Sequence, residues 1–391
     1  MSQKLFDRNP DLGKLREDGY AVQIRGGFLV MDVPYVDAKG GVRLGRLISS
    51  LTLAGDVTQR PDSHTVHWDG DYPCNTGGEE IEPLRHSNAA VDLGGGLAAK
   101  YMFSCKPPEG YADYHAKMTT YAGVIAGPAA AAKPELKLRS YAVPEPEDDT
   151  VFNYTETASD RAGIGALTAR LKNERVAFIG LGGTGAYAFD LVAKTPVAEI
   201  RLIDGDDFLT HNAFRTPGAP SLDELRQVQK KVHYLAGIYS KMHRNIVPHA
   251  VALDQSNLYL LDGATFAFIS MDAGEAKKLV VRKCEEMGIP FVDVGMGLEL
   301  VDGSLGGILR VTASTLDMRA HVHGGRISFG SADDENDLYA TNIQVADLNA
   351  LNAAMAVVKW KKIRGFYRDL EREHHSTYTT DGNMLLNGDQ S

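Results

Sequence analysis

Cysteine is scarce, with three in 391 residues (Cys74, Cys105 and Cys284), an odd number showing no Cys-x-x-Cys spacing. That excludes a disulfide framework and a zinc ribbon, which need paired or closely spaced thiols. Long apolar runs are absent too. No stretch approaches the ~20 apolar residues that cross a bilayer, and Met1 to Arg25 holds no apolar core of signal-peptide length. A cytoplasmic protein with no membrane partner is expected. Positive charge is in deficit: 41 Lys and Arg stand against 51 Asp and Glu, a formal net charge of −10. Phosphate backbones are held by clustered Lys and Arg, so no nucleic-acid partner is expected.

What is present supports a globular chain of about two domains, given the usual ~100–200 residues per domain and an apolar content of 43%. In the first part, Tyr20 to Val36 and Val42 to Leu53 alternate like strands between glycine-pair turns, which suggests a smaller α+β domain over residues 1–126. An Ala run, then Pro134, Pro144 and Pro146 and the acids Glu145, Glu147, Asp148 and Asp149 read as a linker over 127–150. From 151 to 373 the texture changes. Apolar strands at Arg175 to Ile179, Glu199 to Ile203, Thr265 to Ser270 and Pro290 to Val294 alternate with helical segments, and a helix is expected over Val345 to Tyr367. This is the pattern of an α/β fold, a Rossmann-like mostly parallel sheet with helices on both faces. Residues 374–391 are expected to be a loosely ordered polar tail.

The second domain opens with Gly180-Leu181-Gly182-Gly183-Thr184-Gly185, between an apolar strand and a helix starting near Ala186. Glycines there let a phosphate approach the backbone, and the free N–H groups of a helix N-terminus face it. Asp204 ends the next strand, where a carboxylate accepts hydrogen bonds from ribose hydroxyls. Glycine loop and acid together mark an adenine-nucleotide site without distinguishing NAD from ATP.

Beyond them lie Asp206, Asn212, Arg215, the lysine pair Lys230 and Lys231, and Asp272. With a Gly-x-Gly-Gly-x-Gly loop, an Asp-x-Asp strand end, Asn-x-x-Arg, a helix-opening Lys and a later strand-ending Asp, the region from Asp160 to Gly365 resembles the ThiF, MoeB and ubiquitin-activating enzyme superfamily. The resemblance implies ATP and Mg²⁺ as cofactors. It implies Gly180, Gly182, Gly183, Gly185, Asp204, Asp206 and Asn212 as nucleotide ligands, Arg215 and Lys231 as triphosphate cations, with Lys230 an adjacent rival, and Asp272 as the Mg²⁺ ligand. Arg161 lies where family dimers send an Arg into the partner's ATP site, and a homodimer is implied because this superfamily builds its site near a two-fold interface. The implied reaction is adenylation of the C-terminal glycine carboxylate of a ubiquitin-like or sulfur-carrier-like protein, with handover to a downstream conjugating enzyme or other acceptor. Alternatives are an NAD(P)-dependent oxidoreductase, which has no use for Arg215, Lys231 and Asp272 around a triphosphate, and a non-catalytic scaffold of the same fold.

The sequence also departs from that pattern. No cysteine lies between Thr312 and Val345, where ubiquitin-type activating enzymes carry their catalytic thiol. Cys284 reads as a core residue of a helix. Three fates of an acyl adenylate stay open: direct transfer, a thioester on Cys74 or Cys105, or an ester on Ser314, Thr315, Ser328, Ser331 or Thr341 with His321 or His323 as base. His64 and His67 fall on opposite faces of a strand and do not converge on a metal. The aromatic run from Tyr111 to Tyr121 reads as core in preference to a partner surface.

Overall fold

The computed structural model describes all residues except 1, 89, 134, 136–137, 141–149, 162–163, 331–342 and 391, and the side chains of 2–4, 85–86 and 160–161 are likewise outside the description. It divides into two compact units, Met1–Ala169 and Arg170–Ser391. No helix among the described residues is long and apolar enough to cross a membrane.

In the first unit, strands β1 (Val22–Arg25), β2 (Phe28–Val36), β3 (Val42–Ser50), β4 (Thr65–Asp69), β5 (Arg85–Ser87) and β6 (Tyr101–Ser104) form one antiparallel sheet, ordered β1-β2-β3-β4-β6-β5. Helices α1 (Pro10–Glu17) and α2 (Tyr114–Ala132) supply Leu12, Leu15, Tyr114, Met118 and Tyr121 to a core that also holds Trp68 and Phe103. The aromatic run is therefore core. Helix α2 starts at Asp113, whose carboxylate accepts from the Ala116 amide at 2.7 Å, a favourable N-cap. The Ala run, assigned on composition to a linker from residue 127, is instead the end of α2. Alanine is the strongest helix former, and the burial of Ala126 and Ala129 carries the helix past Pro128.

The second unit is built on an eight-stranded sheet. Its strands are β7 (Arg175–Ile179), β8 (Glu199–Ile203), β9 (Ile246–His249), β10 (Phe266–Ile269), β11 (Phe291–Val301), β12 (Ser304–Ser314), β13 (Glu373–Thr379) and β14 (Met384–Gln390). The order is β9-β8-β7-β10-β11-β12-β13-β14, with the first five parallel and the last three antiparallel. Both faces are covered. Val176 and Phe178 point into a core with α3 (Gly183–Ala193), α6 (Lys231–Tyr239) and α8 (Ala346–Ile363), while Ala177 and Ile179 point into one with α7 (Glu275–Glu286). Burial on both sides is why these strands read as unbroken apolar runs. Two short helices, α4 (Thr210–Ala213) and α5 (Leu222–Arg226), lie between β8 and α6.

The expected loose tail is ordered as β13 and β14. Polar residues carry this pairing, which hid it from a reading based on hydrophobic period: Thr312 Oγ1 and His375 Nδ1 lie 3.0 Å apart, and Thr315 Oγ1 and His374 Nε2 3.1 Å apart. Burial, with help from Arg326 and Arg310, pushes His375 down to about 4. The unfolded chain, with histidine near 6.5, binds the proton first, so stability is full above pH 6.5 and is lost as pH falls toward 4. Unfolding of the second unit by urea should show a loss of about 2–3 kcal/mol between pH 7.5 and pH 4, and His375→Gln should flatten that slope.

Candidate nucleotide site

Strand order reverses at β7, with β8 on one side and β10 on the other, and in open α/β sheets the crevice at the carboxyl ends of such strands is where ligands bind. One row of pairing crosses the sheet at that level through His249, Ile203, Ile179, Ile269, Asp293, Thr312 and His375. The glycine loop leaves this row at Gly180, which has φ +85°. A Cβ on Gly180 would collide with the Ser270 carbonyl, one on Gly185 with the Gly180 carbonyl and Ser270 hydroxyl, and one on Gly183 with the Asn349 amide. Gly182 differs. It caps α3, and a Cβ there would meet nothing within 4 Å. Internal packing accounts for three of the glycines, while the fourth keeps the N-terminus of α3, with its unpaired N–H groups, open to a ligand.

Residues that the motif does not name hold the loop. Ser270 donates to the Gly180 carbonyl at 2.6 Å, and Thr184 donates to Asn349 Oδ1 at 2.9 Å. Asn349 is fully buried on α8, and its Nδ2 donates to the Arg215 carbonyl at 3.4 Å, tying the loop to the segment that bears the cations. Its only trace in the sequence is an amide among apolar helix positions.

Asp204 accepts from the Leu181 amide at 2.6 Å and from the Asp206 amide at 2.8 Å. Lys231, the first residue of α6 and buried, places Nζ 2.6 Å from Asp206 and 3.8 Å from Asp204. Its hydrogen bond holds the Asp206 carboxyl below the usual range. The rival Lys230 turns to the Gly205 carbonyl at 2.9 Å and to Asp207 at 2.8 Å, so Lys231 is the lysine that faces both acids. Asn212 is buried. Its Oδ1 accepts from the Leu209 amide at 2.8 Å, while its Nδ2 donates to nothing among the described residues. Nor does Arg215 Nε, and the Arg215 guanidinium forms no ion pair among those residues. Asp272 is exposed just past the end of β10. The structure thus joins the glycine loop, Asp204, Asp206 and Lys231 by hydrogen bonds and ion pairs, ties the Arg215 backbone to the loop through Asn349, and places Asp272 two residues past Ser270, which bonds the loop.

Beside Ile269 in the row lies a buried ion cluster not foreseen from the sequence. Asp293 meets Lys277 at 3.0 Å and Arg310 at 2.5 Å, and Arg310 Nη1 also donates to Thr312 Oγ1 and the Arg326 carbonyl, each at 2.9 Å. Removing the central anion leaves two buried cations uncompensated. Asp293→Ala should therefore cost about 3–5 kcal/mol in denaturant unfolding of the second unit.

Other candidates lie elsewhere. Cys74 is buried in the first unit, and burial pushes its thiol up, away from the thiolate an acyl carrier needs. Cys284 is core and pushed up to about 12 by burial. Ser314 is buried and Ser328 half-buried. His321 is bonded to the Ala313 carbonyl and His323 to Glu285. Ser331, Thr341 and the Arg161 side chain lie outside the described residues.

Comparison with known proteins matches residues 158–322 to the ThiF family and residues 10–157 to a domain of unknown function, DUF6791. The chain is 25% identical over 140 residues to tRNA threonylcarbamoyladenosine dehydratase of Haemophilus influenzae, covering 34% of this chain and 53% of that protein. It is 25% identical over 138 residues to the Escherichia coli K12 protein of the same name, covering 33% and 52%. The chain spans about half the length of the curated relatives it matches. Among solved structures, E. coli MccB with ATP is similar with a TM-score of 0.44 at 17% identity, covering 59% of this chain and 67% of that one.

Proposed function

We propose that the ThiF family domain formed by residues 158–322, with the strands and helix that complete its sheet, transfers AMP from ATP to a carboxylate. A carboxylate oxygen attacks the α-phosphorus, the bond to the bridging oxygen breaks, and pyrophosphate leaves with that electron pair. Two anions must meet, and charge grows on the phosphorus oxygens and the leaving group. Preorganised cations and N–H donors meet that need, and the reaction calls for no protein nucleophile at this step.

The observation that carries the reading is a set of unspent donors: Asn212 Nδ2 and Arg215 Nε, buried and unpartnered among the described residues, with the uncovered Gly182 at the N-terminus of α3. In this reading Asp204 faces the ribose, the glycine loop receives the phosphates, and Asn212, Arg215 and Lys231 take the triphosphate. Lys231 would exchange Asp206 for a phosphate oxygen. Asp272 would hold Mg²⁺, which supplies charge neutralisation between the phosphates. A nicotinamide reductase has no call for this arrangement of cations and distal acid.

The substrate we propose is the C-terminal carboxylate of a ubiquitin-like or sulfur-carrier-like protein, handed on to a downstream acceptor. A second reading is a tRNA-borne carboxylate, favoured by the threonylcarbamoyladenosine in the names of the curated relatives and disfavoured by the net charge of −10. The test is ATP/pyrophosphate exchange with Mg²⁺, adding either a small protein ending in Gly or tRNA carrying threonylcarbamoyladenosine. Exchange that needs Asp272 and one of these additions supports the reading and names the substrate class. Absence of exchange with both, alongside tight NAD binding, overturns it.

A further inference from the structure

Three acids follow the end of β8, and one of them is held differently from the others. Asp204 has a side chain only 7% exposed, and its oxygens accept from the Leu181 and Asp206 amides. Asp207 pairs with Lys230. Asp206 is fixed through its backbone, whose amide donates to Asp204 at 2.8 Å and whose carbonyl accepts from the Lys231 amide at 3.0 Å. Its carboxylate stands 74% exposed and reaches the Lys231 side chain, which is 8% exposed, at 2.6 Å. The charges of Lys230 and Arg215 add to that hydrogen bond in holding the carboxyl below its usual range. An exposed anion thus covers a buried cation. Rotation about its own side-chain bonds returns it to water while the strand end and α6 stay in place, and an ion pair exposed on one side costs little to break.

We propose that Asp206 is a place-holding anion: it occupies the seat of the β- and γ-phosphates on Lys231 in the free protein, yields it to ATP, and takes it back as pyrophosphate departs. The inference rests on the adenylation reading and deepens it. The resemblance counts Asp206 among the nucleotide ligands, yet a carboxylate turned toward a triphosphate repels it, and one lysine cannot serve both anions at full strength. When only part of the free protein has its seat open, the ligand binds more weakly by that fraction. The same competition acts on the product. Once the bond to the bridging oxygen has broken, the adenylate keeps the α-phosphate at the glycine loop, and Asp206 competes with pyrophosphate alone. Pyrophosphate is then held less tightly, which favours its release over reversal of the reaction. AMP lacks the groups that reach Lys231 and is indifferent to the exchange.

The test titrates the full chain, wild type and Asp206→Asn, with ATP, with inorganic pyrophosphate and with AMP, each in Mg²⁺, by isothermal calorimetry. Asp204, 3.8 Å from Lys231 Nζ, still faces that cation in the variant, and a urea midpoint checks that the variant is folded. Asp206→Asn should lower the Kd for ATP and for pyrophosphate by about 2–10-fold, the strength of one partly exposed ion pair, and leave the Kd for AMP unchanged. Asp206→Ser, which also removes the charge, should do the same, so a folding defect peculiar to one variant does not decide the matter. Unchanged or weaker binding of ATP and pyrophosphate by the folded variants overturns the proposal, because Asp206 is then a bystander or a ligand of the nucleotide or its Mg²⁺. Equal tightening of AMP overturns it as well, since the carboxylate then acts by general repulsion and not through the seat on Lys231. A wild type that binds neither ATP nor pyrophosphate overturns the adenylation reading and the place-holder with it, whereas a wild type that binds ATP with no response to either substitution removes the place-holder alone.

Discussion

Arg215→Ala lowers ATP/pyrophosphate exchange by about 10²–10³-fold, the cost of removing one preorganised charge-stabilising donor, while leaving unfolding within about 0.5 kcal/mol of the wild type. The two halves of this expectation come from one fact. Arg215 forms no ion pair among the described residues, so its removal breaks none in the free protein. Its loss is felt where negative charge arrives. Lys231→Ala provides the contrast. Lys231 is buried and paired with Asp206 and lies 3.8 Å from Asp204, so its removal should lower both exchange and stability. Exchange rates and urea midpoints measured on both variants separate a residue kept for the ligand from one the fold also uses. Arg215→Ala with undiminished exchange would remove the triphosphate from this crevice.

The second large effect divides the glycine loop. Gly185→Ala should destabilise the second unit by about 1–3 kcal/mol and abolish detectable ATP binding, because its methyl group runs into the backbone carbonyl of Gly180 and the hydroxyl of Ser270. Gly182→Ala should keep the wild-type urea midpoint, since nothing lies within 4 Å of the new methyl group. Its penalty appears only with nucleotide, as a rise of at least tenfold in the Kd for ATP, because the methyl group occupies the face where N–H groups and phosphate must meet. Isothermal titration with ATP and Mg²⁺ on both folded variants checks this. Equal ATP affinity of wild type and Gly182→Ala would place the phosphates elsewhere.

Much of the parallel sheet was legible because strands buried on both faces announce themselves by composition. Arg175 to Ile179 and Glu199 to Ile203 have the bounds expected of them. The antiparallel end was not legible. Its strands are held by His374, His375, Thr312 and Thr315, polar residues whose burial depends on partners far away in sequence. The start of the linker was misread for the opposite reason: Ala129 to Ala132 looked featureless, yet helix propensity, with the burial of Ala129, carries the helix to Ala132, while residues 134, 136–137 and 141–149 of that stretch lie outside the described residues. In the site, the loop and its acids were legible as a spaced motif. Ser270, Asn349 and the Asp293 cluster were not, since each acts through a contact that only the folded chain creates.

Asn349 also sets the order in which this chain can mature. Its bond to Thr184 spans 165 residues, and its amide fills the space that the missing side chain of Gly183 leaves. On the ribosome, the loop is made long before its keystone. At about 5–20 residues per second, some ten seconds or more separate the two, during which the first strand and its turn exist without the helix that fixes them. The contacts that Asn349 makes to Thr184 and beside Gly183 are therefore expected to form only after residue 349 has been made, so the candidate nucleotide loop is completed late in synthesis.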